Sequence, residues 1–195
     1  YALITIVYSM SFILIMPFIR IYTSGVTDIN YNVTLLGFLF VLNGLLYNIK
    51  TPQGMLVISA GLFKETKVQV TIQGLITVII GFILTPLVGI YGVIIASIVS
   101  NIYRDIDLMF FIPKHVTKLP IINTAKRILI IFISATLIYL PFLNINVNPT
   151  GYIQWVNYAI IVGVYACIVV LIMSLLFDRK TFKDSIGRIM GMVKR

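Results

Sequence analysis

The sequence predicts an all-α fold: a polytopic membrane helical bundle with six transmembrane helices. Three observations lead there. Apolar residues make up 59% of the chain and charged residues only 11%, against about 25% charged in an average soluble domain. Mean hydropathy is +1.04, more apolar surface than a core of 195 residues could hide from water. The apolar stretches are continuous and near the roughly 20 residues a spanning helix needs. A membrane β-barrel would instead alternate polar and apolar residues in short strands.

Taken in order, the six segments are about Ala2–Ile19, Leu35–Leu62, Val68–Val88, Tyr91–Ile112, Ile128–Phe142 and Trp155–Phe177. In lipid each must satisfy its own backbone, which selects helices. The second is long and the fifth short. The first opens at Tyr1 with no basic leader and no small-residue cleavage site, so it does not resemble a signal peptide. The chain is expected to be a piece of a longer protein. Short connections join the segments: "RIYTSGVTDINYN", "FKETK", "TPLVGIYG", "PKHVTKLPIINTAKR" and "LNINVNPTGYIQ". The single cysteine, Cys167, lies in an apolar run, which rules out an internal disulfide and a cysteine-cluster metal site.

The placement of charge explains the net +9. Lys64 and Lys67 occupy one connection, and Lys114, Lys118, Lys126 and Arg127 the next but one. Arg179, Lys180, Lys183, Arg188, Lys194 and Arg195 follow the last span, while Arg20 alone dissents. These are alternate connections, so the positive-inside rule puts both chain ends in the cytoplasm. The basic excess is then a topology signal, and nucleic acid is not needed as a partner. Tyr152 and Trp155 stand where an outer aromatic anchor is expected. In the tail, residues 178–195, Phe182, Ile186, Ile189 and Val193 recur at helical spacing among basic residues. That suits an amphipathic helix on anionic headgroups; a frayed, solvated end is the alternative. "NVT" at Asn32 matches a glycosylation acceptor, a pattern too common to carry weight.

Three of the apolar segments carry polar stripes. Asn43, Tyr47, Lys50 and Gly54 are spaced four, three and four residues apart and share a helical face. Lys50 falls about 3 Å from the midpoint of its segment at about 1.5 Å per residue. A lysine there costs about 2.5–3.5 kcal/mol on insertion scales, so it is expected to face a hydrated cavity or an anionic partner. No acid lies near it in sequence. Pro52 removes a backbone hydrogen bond; with Gly54 it marks a candidate hinge or a fixed bend. In the fourth segment Ser97, Asn101 and Arg104 share a face with Ser100 beside them, and Asp105 and Asp107 follow. Arg104 suits anion binding or an internal ion pair with Asp107. Gln69, Gln73 and Thr77 form the third stripe, as cavity lining or, for Gln73 and Thr77, helix packing. Gly92, Ala96 and Ser100 make a small-residue ridge, which predicts close helix packing.

The stretch "PQGMLVISAGLFKETKVQVTIQGLITVIIGFILTPLVGIYGVIIASIVSNIYRDIDLMFF" resembles the polysaccharide-flippase family of the multidrug, oligosaccharidyl-lipid and polysaccharide exporter superfamily. The likeness rests on the mid-helix proline, "FKET", "GIYGV" opening a helix and "YRDID" near its end. It spans about a third of the chain, and the hydropathy extends it over all six segments. It implies a fragment of a two-lobe transporter. Residues 1–112 would be four helices of the second lobe and 113–177 an additional helix pair. The N-terminal lobe would be missing. The implied partner is a lipid-linked oligosaccharide carried on polyprenyl pyrophosphate, moved by alternating access across the bacterial cytoplasmic membrane. Lys50 and Arg104 would give the cavity its positive charge, with Asn43, Tyr47, Asn101 and Gln73 lining it. No cofactor or metal is implied, and no phosphate-binding glycine loop appears.

Three rivals remain. A drug or cation exporter of the same superfamily favours intramembrane carboxylates, whereas the central positions here are cationic. A membrane enzyme acting on polyprenyl phosphates needs clustered acids holding magnesium or a histidine nucleophile. Asp105 and Asp107 beside an arginine make a poor metal pair, and the one histidine, His115, stands in a basic connection. A structural membrane subunit would be indifferent to the loss of the Lys50 charge.

Overall fold

The computed structural model describes residues 1–143, 145, 148–177 and 187. The proposed amphipathic tail, residues 178–195, falls outside the described residues except for Gly187. Those described are helical and turn structure with no strand among them. The six main helices are α1 (Ala2–Tyr22), α2 (Thr34–Ser59), α3 (Phe63–Val88), α4 (Ile90–Ile112), α5 (Ile121–Tyr139) and α6 (Tyr152–Phe177).

Several boundaries depart from the sequence expectation, each for a local reason. "FKETK" is the first turn of α3, not a connection; lysine and glutamate are good helix formers, and the turn before it is very tight. Gly61 adopts φ +72°, donates to the Ile58 carbonyl, and lets Leu62 N–H reach back to the Val57 carbonyl at 3.2 Å. This double closure is a Schellman ending, and Leu62 completes it by packing on Val57. In "TPLVGIYG" the break is a single residue, Gly89 at φ +62°, between two helices. The fifth helix starts seven residues earlier than expected, at Ile121 rather than Ile128, directly after Pro120. Before it, Pro113–Thr117 forms one π-helical turn that stacks His115 on Phe111 at 4.4 Å between ring centroids. Proline at the head of such a turn has no N–H to lose.

Of the six helices, five are long and apolar enough to cross a membrane; α4 is not. Arg104, Asp105 and Asp107 all fall in its second half. The six expected helices are all present, and the packing shows how α4 carries those charges. Helix α4 lies between α2 and α3 and also touches α5, so its charges are turned to protein and not to lipid. Arg104 is 6% and Asp105 8% exposed.

Helix α1 packs on α2, α5 and α6. Leu45 and Ile49 of α2 meet Ile131 of α5 over Ile4, Tyr8 and Phe12 of α1. Ile138, Ala166 and Val170 join α5 and α6 to α1 in a second cluster. Helix α3 rests on α4 alone to any extent, and Thr66 is its one buried residue. Its Phe82 is 83% exposed, which suits a helix with lipid as solvent. The ridge of Gly92, Ala96 and Ser100 is what α3 sits on. A Cβ added at Gly92 would stand 2.5 Å from the Leu84 carbonyl carbon, and Gly81 of α3 faces Ala96. Ser100 Oγ donates to the Gln73 carbonyl at 3.1 Å. The small-residue ridge is thus a close helix contact, as expected.

The helices alternate in direction. Gln53, near the end of α2, reaches Tyr1 at the start of α1, and the ends of α2 and α4 share a cluster. The lysine- and arginine-bearing connections therefore gather at one end of the bundle, called here the cation-rich end. At the other end Arg20 is held by side chains: its Nε donates to Asn32 at 3.2 Å and a terminal nitrogen to Asn148 at 2.5 Å. The dissenting cation thereby ties α1 to the connections before α2 and α6. Trp155 donates to the Leu14 carbonyl at 3.2 Å, and its ring lies 5.4 Å from Phe18. Trp155, expected as an aromatic anchor, thus locks α6 onto α1.

Candidate functional site

Helices α2 and α4 run side by side in the same direction, and their polar residues meet along the seam. Asn43, Tyr47 and Lys50 fall on one side of α2 because their spacing follows the helical repeat. Lys50 Nζ donates to Asn101 Oδ1 at 2.5 Å, and Asn101 Nδ2 donates to Asn43 Oδ1 at 2.9 Å. Asn101 is buried and uses both ends of its amide, so the chain is polarised in one sense, which strengthens it. The ammonium also lies 4.8 Å from the centroid of the Tyr47 ring, a cation–π contact. Lys50 is half-buried, whereas Tyr47 is 57% exposed. One side of the cation is thus bound into the seam, and the other adjoins an open aromatic face.

Because α2 ends at Ser59, Lys50 is about 5 Å from the helix midpoint at about 1.5 Å per residue. It is displaced toward the cation-rich end by more than the sequence suggested. It still lies about nine residues, roughly 14 Å, from the end of the helix, so direct snorkelling to that surface is out of reach.

One turn further along, Gln53 on α2 and Asp105 on α4 come level. They follow Lys50 by three residues and Asn101 by four. Gln53 Nε2 donates to the Tyr1 hydroxyl at 3.1 Å. Its carbonyl oxygen, and both oxygens of Asp105, are buried without a hydrogen-bond partner among the described residues. Lys50 interacts through space with Asp105 and with Arg104. A third layer closes the seam: Val57, Leu108, Phe111 and Ile112, with Leu62 and Val116 against them. The seam therefore reads, toward the cation-rich end, as an amide and ammonium layer, a carboxyl and amide layer, then an apolar plug.

The structure brings together Lys50, Asn43, Tyr47 and Asn101 from the predicted set and leaves two members apart. Arg104 is bonded to Asp107, the internal ion pair that was the alternative reading. Gln73 lies on the half-buried face of α3 toward α4, where its backbone carbonyl accepts from both Ser100 and Thr77. Pro52 is accommodated in the unbroken helix α2, and a Cβ at Gly54 would meet nothing within 4 Å. Gln53 was not singled out from the sequence, although it lies one turn from Lys50, and Asp105 was weighed there only as half of a metal pair with Asp107. No group of three or more histidine, cysteine or acidic side chains gathers among the described residues.

No protein-family model matches the chain, and no curated protein and no solved structure matches it either.

Proposed function

We propose that the chain belongs to a membrane transporter that moves an anionic, lipid-linked oligosaccharide across the bacterial cytoplasmic membrane by alternating access. In this reading Lys50 meets the phosphate portion of the cargo, and α2 and α4 form one wall of the path. The observation that carries it is the ammonium itself, half-buried well inside a helix long and apolar enough to cross a membrane, tied by Asn101 on one side and bordered by the exposed Tyr47 on the other. A fixed cation compensates a phosphate withdrawn from water. An inside-negative potential would assist outward passage by about 2.3 kcal/mol per charge per 100 mV. Arg104 contributes less, since Asp107 neutralises it. The partners are the polyprenyl-linked cargo, the bilayer and the first lobe of a longer chain, against which this one would rock.

Complementation tests the reading, in a strain lacking the native protein and with the membrane level of each variant measured. Lys50→Ala should insert normally and lose export, Lys50→Arg should keep part of it, and Lys50→Glu should be worst. Wild-type export by Lys50→Ala and Lys50→Glu at normal abundance would overturn the proposal. A drug or cation exporter is the second reading, favoured by the buried Asp105. Under it, Asp105→Asn would abolish export while Lys50→Ala would be mild.

A further inference from the structure

Most buried polar groups in a folded protein find a partner, and each exception asks for an explanation. Here three unpartnered atoms belong to two residues that come level on neighbouring helices: Asp105 Oδ1, Asp105 Oδ2 and Gln53 Oε1. All three are acceptors. In the arrangement observed no donor reaches them: Gln53 spends an amide N–H on the Tyr1 hydroxyl and turns its own carbonyl away. Both residues are more than nine-tenths buried, at 8% and 3% exposure.

The surrounding charges narrow the choice of what enters. On α2 the neighbour is Lys50, and on α4 Arg104 is bonded to Asp107. At the head of α1 the Tyr1 hydroxyl interacts with Asp105 and with Arg127 of α5. Helix α3 carries Lys64, Glu65 and Lys67 only in its exposed first turns. A metal cation would meet the repulsion of Lys50 and find three oxygens, fewer than hard cations take. A proton needs one oxygen to bind and one to receive its hydrogen bond.

We infer that Asp105 is a proton-binding site within the α2/α4 seam, and that its proton sets whether Lys50 stays on Asn101. The protonated acid is neutral, which removes the cost of a buried carboxylate with no hydrogen-bond partner. When the proton passes to water, a bare carboxylate is left beside an ammonium that has a single hydrogen bond, to a neutral amide. The carboxylate then draws Lys50 off Asn101, which also releases the far end of the amide chain at Asn43. Val57 and Leu108 belong to an apolar cluster one layer further toward the cation-rich end. The inference does not require the transport reading, since it concerns the protein without cargo.

Infrared difference spectroscopy of the protein in lipid nanodiscs, titrated over pH, tests it without any transport assay. At neutral pH the wild type should show a protonated-carboxyl stretch that moves in heavy water. Asp105→Asn should lose that band, and Asp28→Asn should keep it. Lys50→Ala should carry the band about one pH unit higher, because an opposite charge that favours ionisation is gone. Absence of the band at neutral pH, or its survival in Asp105→Asn, would overturn the inference. If Asp105→Asn does not assemble, Lys50→Ala decides: a band that titrates where the wild type's does sinks the proposal.

Discussion

Lys50 and Asn101 are 51 positions apart in sequence, and their side chains meet at 2.5 Å across the α2/α4 seam. Asn101 serves the ammonium through its oxygen and Asn43 through its nitrogen. Removing it strands two partners at once. Interhelical hydrogen bonds in membranes average about 0.6 kcal/mol and reach about 1.7. Asn101→Ala should therefore cost about 1–3 kcal/mol, and Asn43→Ala about half as much. Unfolding in mixed micelles measures both. Equal losses would mean that the amide chain is not the support of Lys50.

Gly92 should be among the least replaceable residues of the bundle. Its added Cβ would stand 2.5 Å from the Leu84 carbonyl carbon and 2.6 Å from the Thr85 nitrogen, and backbone cannot rotate aside as a side chain can. Gly92→Ala should cost about 1–3 kcal/mol, the usual range for overpacking. Gly54→Ala, with open space around the site, should cost nothing measurable or stabilise the helix. Thermal unfolding of the two variants side by side checks the contrast.

The Arg104–Asp107 pair, with Arg104 buried and Asp107 partly so, should fall toward the lower end of the range for buried ion pairs. Loss of one partner leaves an uncompensated charge, at about 3–5 kcal/mol. Arg104→Leu and Asp107→Leu should each lower folded yield sharply. The double variant should recover much of it, because replacing both charges removes both desolvation costs. A double variant worse than either single would assign Arg104 a role beyond the pair.

Orientation follows from the cations gathered at one end. Cysteines placed at Lys118 and Thr150 in a Cys167→Ala background should label differently with an impermeant thiol reagent in intact cells. Thr150→Cys should react and Lys118→Cys should not. The reverse pattern would invert the bundle in the membrane.

Much of this was legible in the sequence because lipid acts on every helix separately. Each span must be apolar and must close its own backbone, so the number and rough extent of the helices are local properties. The shared face of Asn43, Tyr47 and Lys50 and the packing ridge from Gly92 to Ser100 are local too, since both follow from the pitch of one helix. Helix ends were less legible. "FKETK" is charged enough to suggest a connection, yet its residues suit a helix, and the turn at Gly61 closes before it begins. What only the tertiary structure decided is which stripe meets which. Nothing in the spacing of one helix states that α2 lies beside α4, level at Lys50 and Asn101, or that α3 turns Gln73 onto α4. The same register brings Gln53 level with Asp105, each one turn from Lys50 or Asn101, and buries three acceptors with no hydrogen-bond partner among the described residues. Burial and pairing arise from contacts between segments far apart in the chain, so Asp105, which in sequence is one of two acids following a polar stripe, becomes in the bundle a buried carboxylate with no hydrogen-bond partner among the described residues.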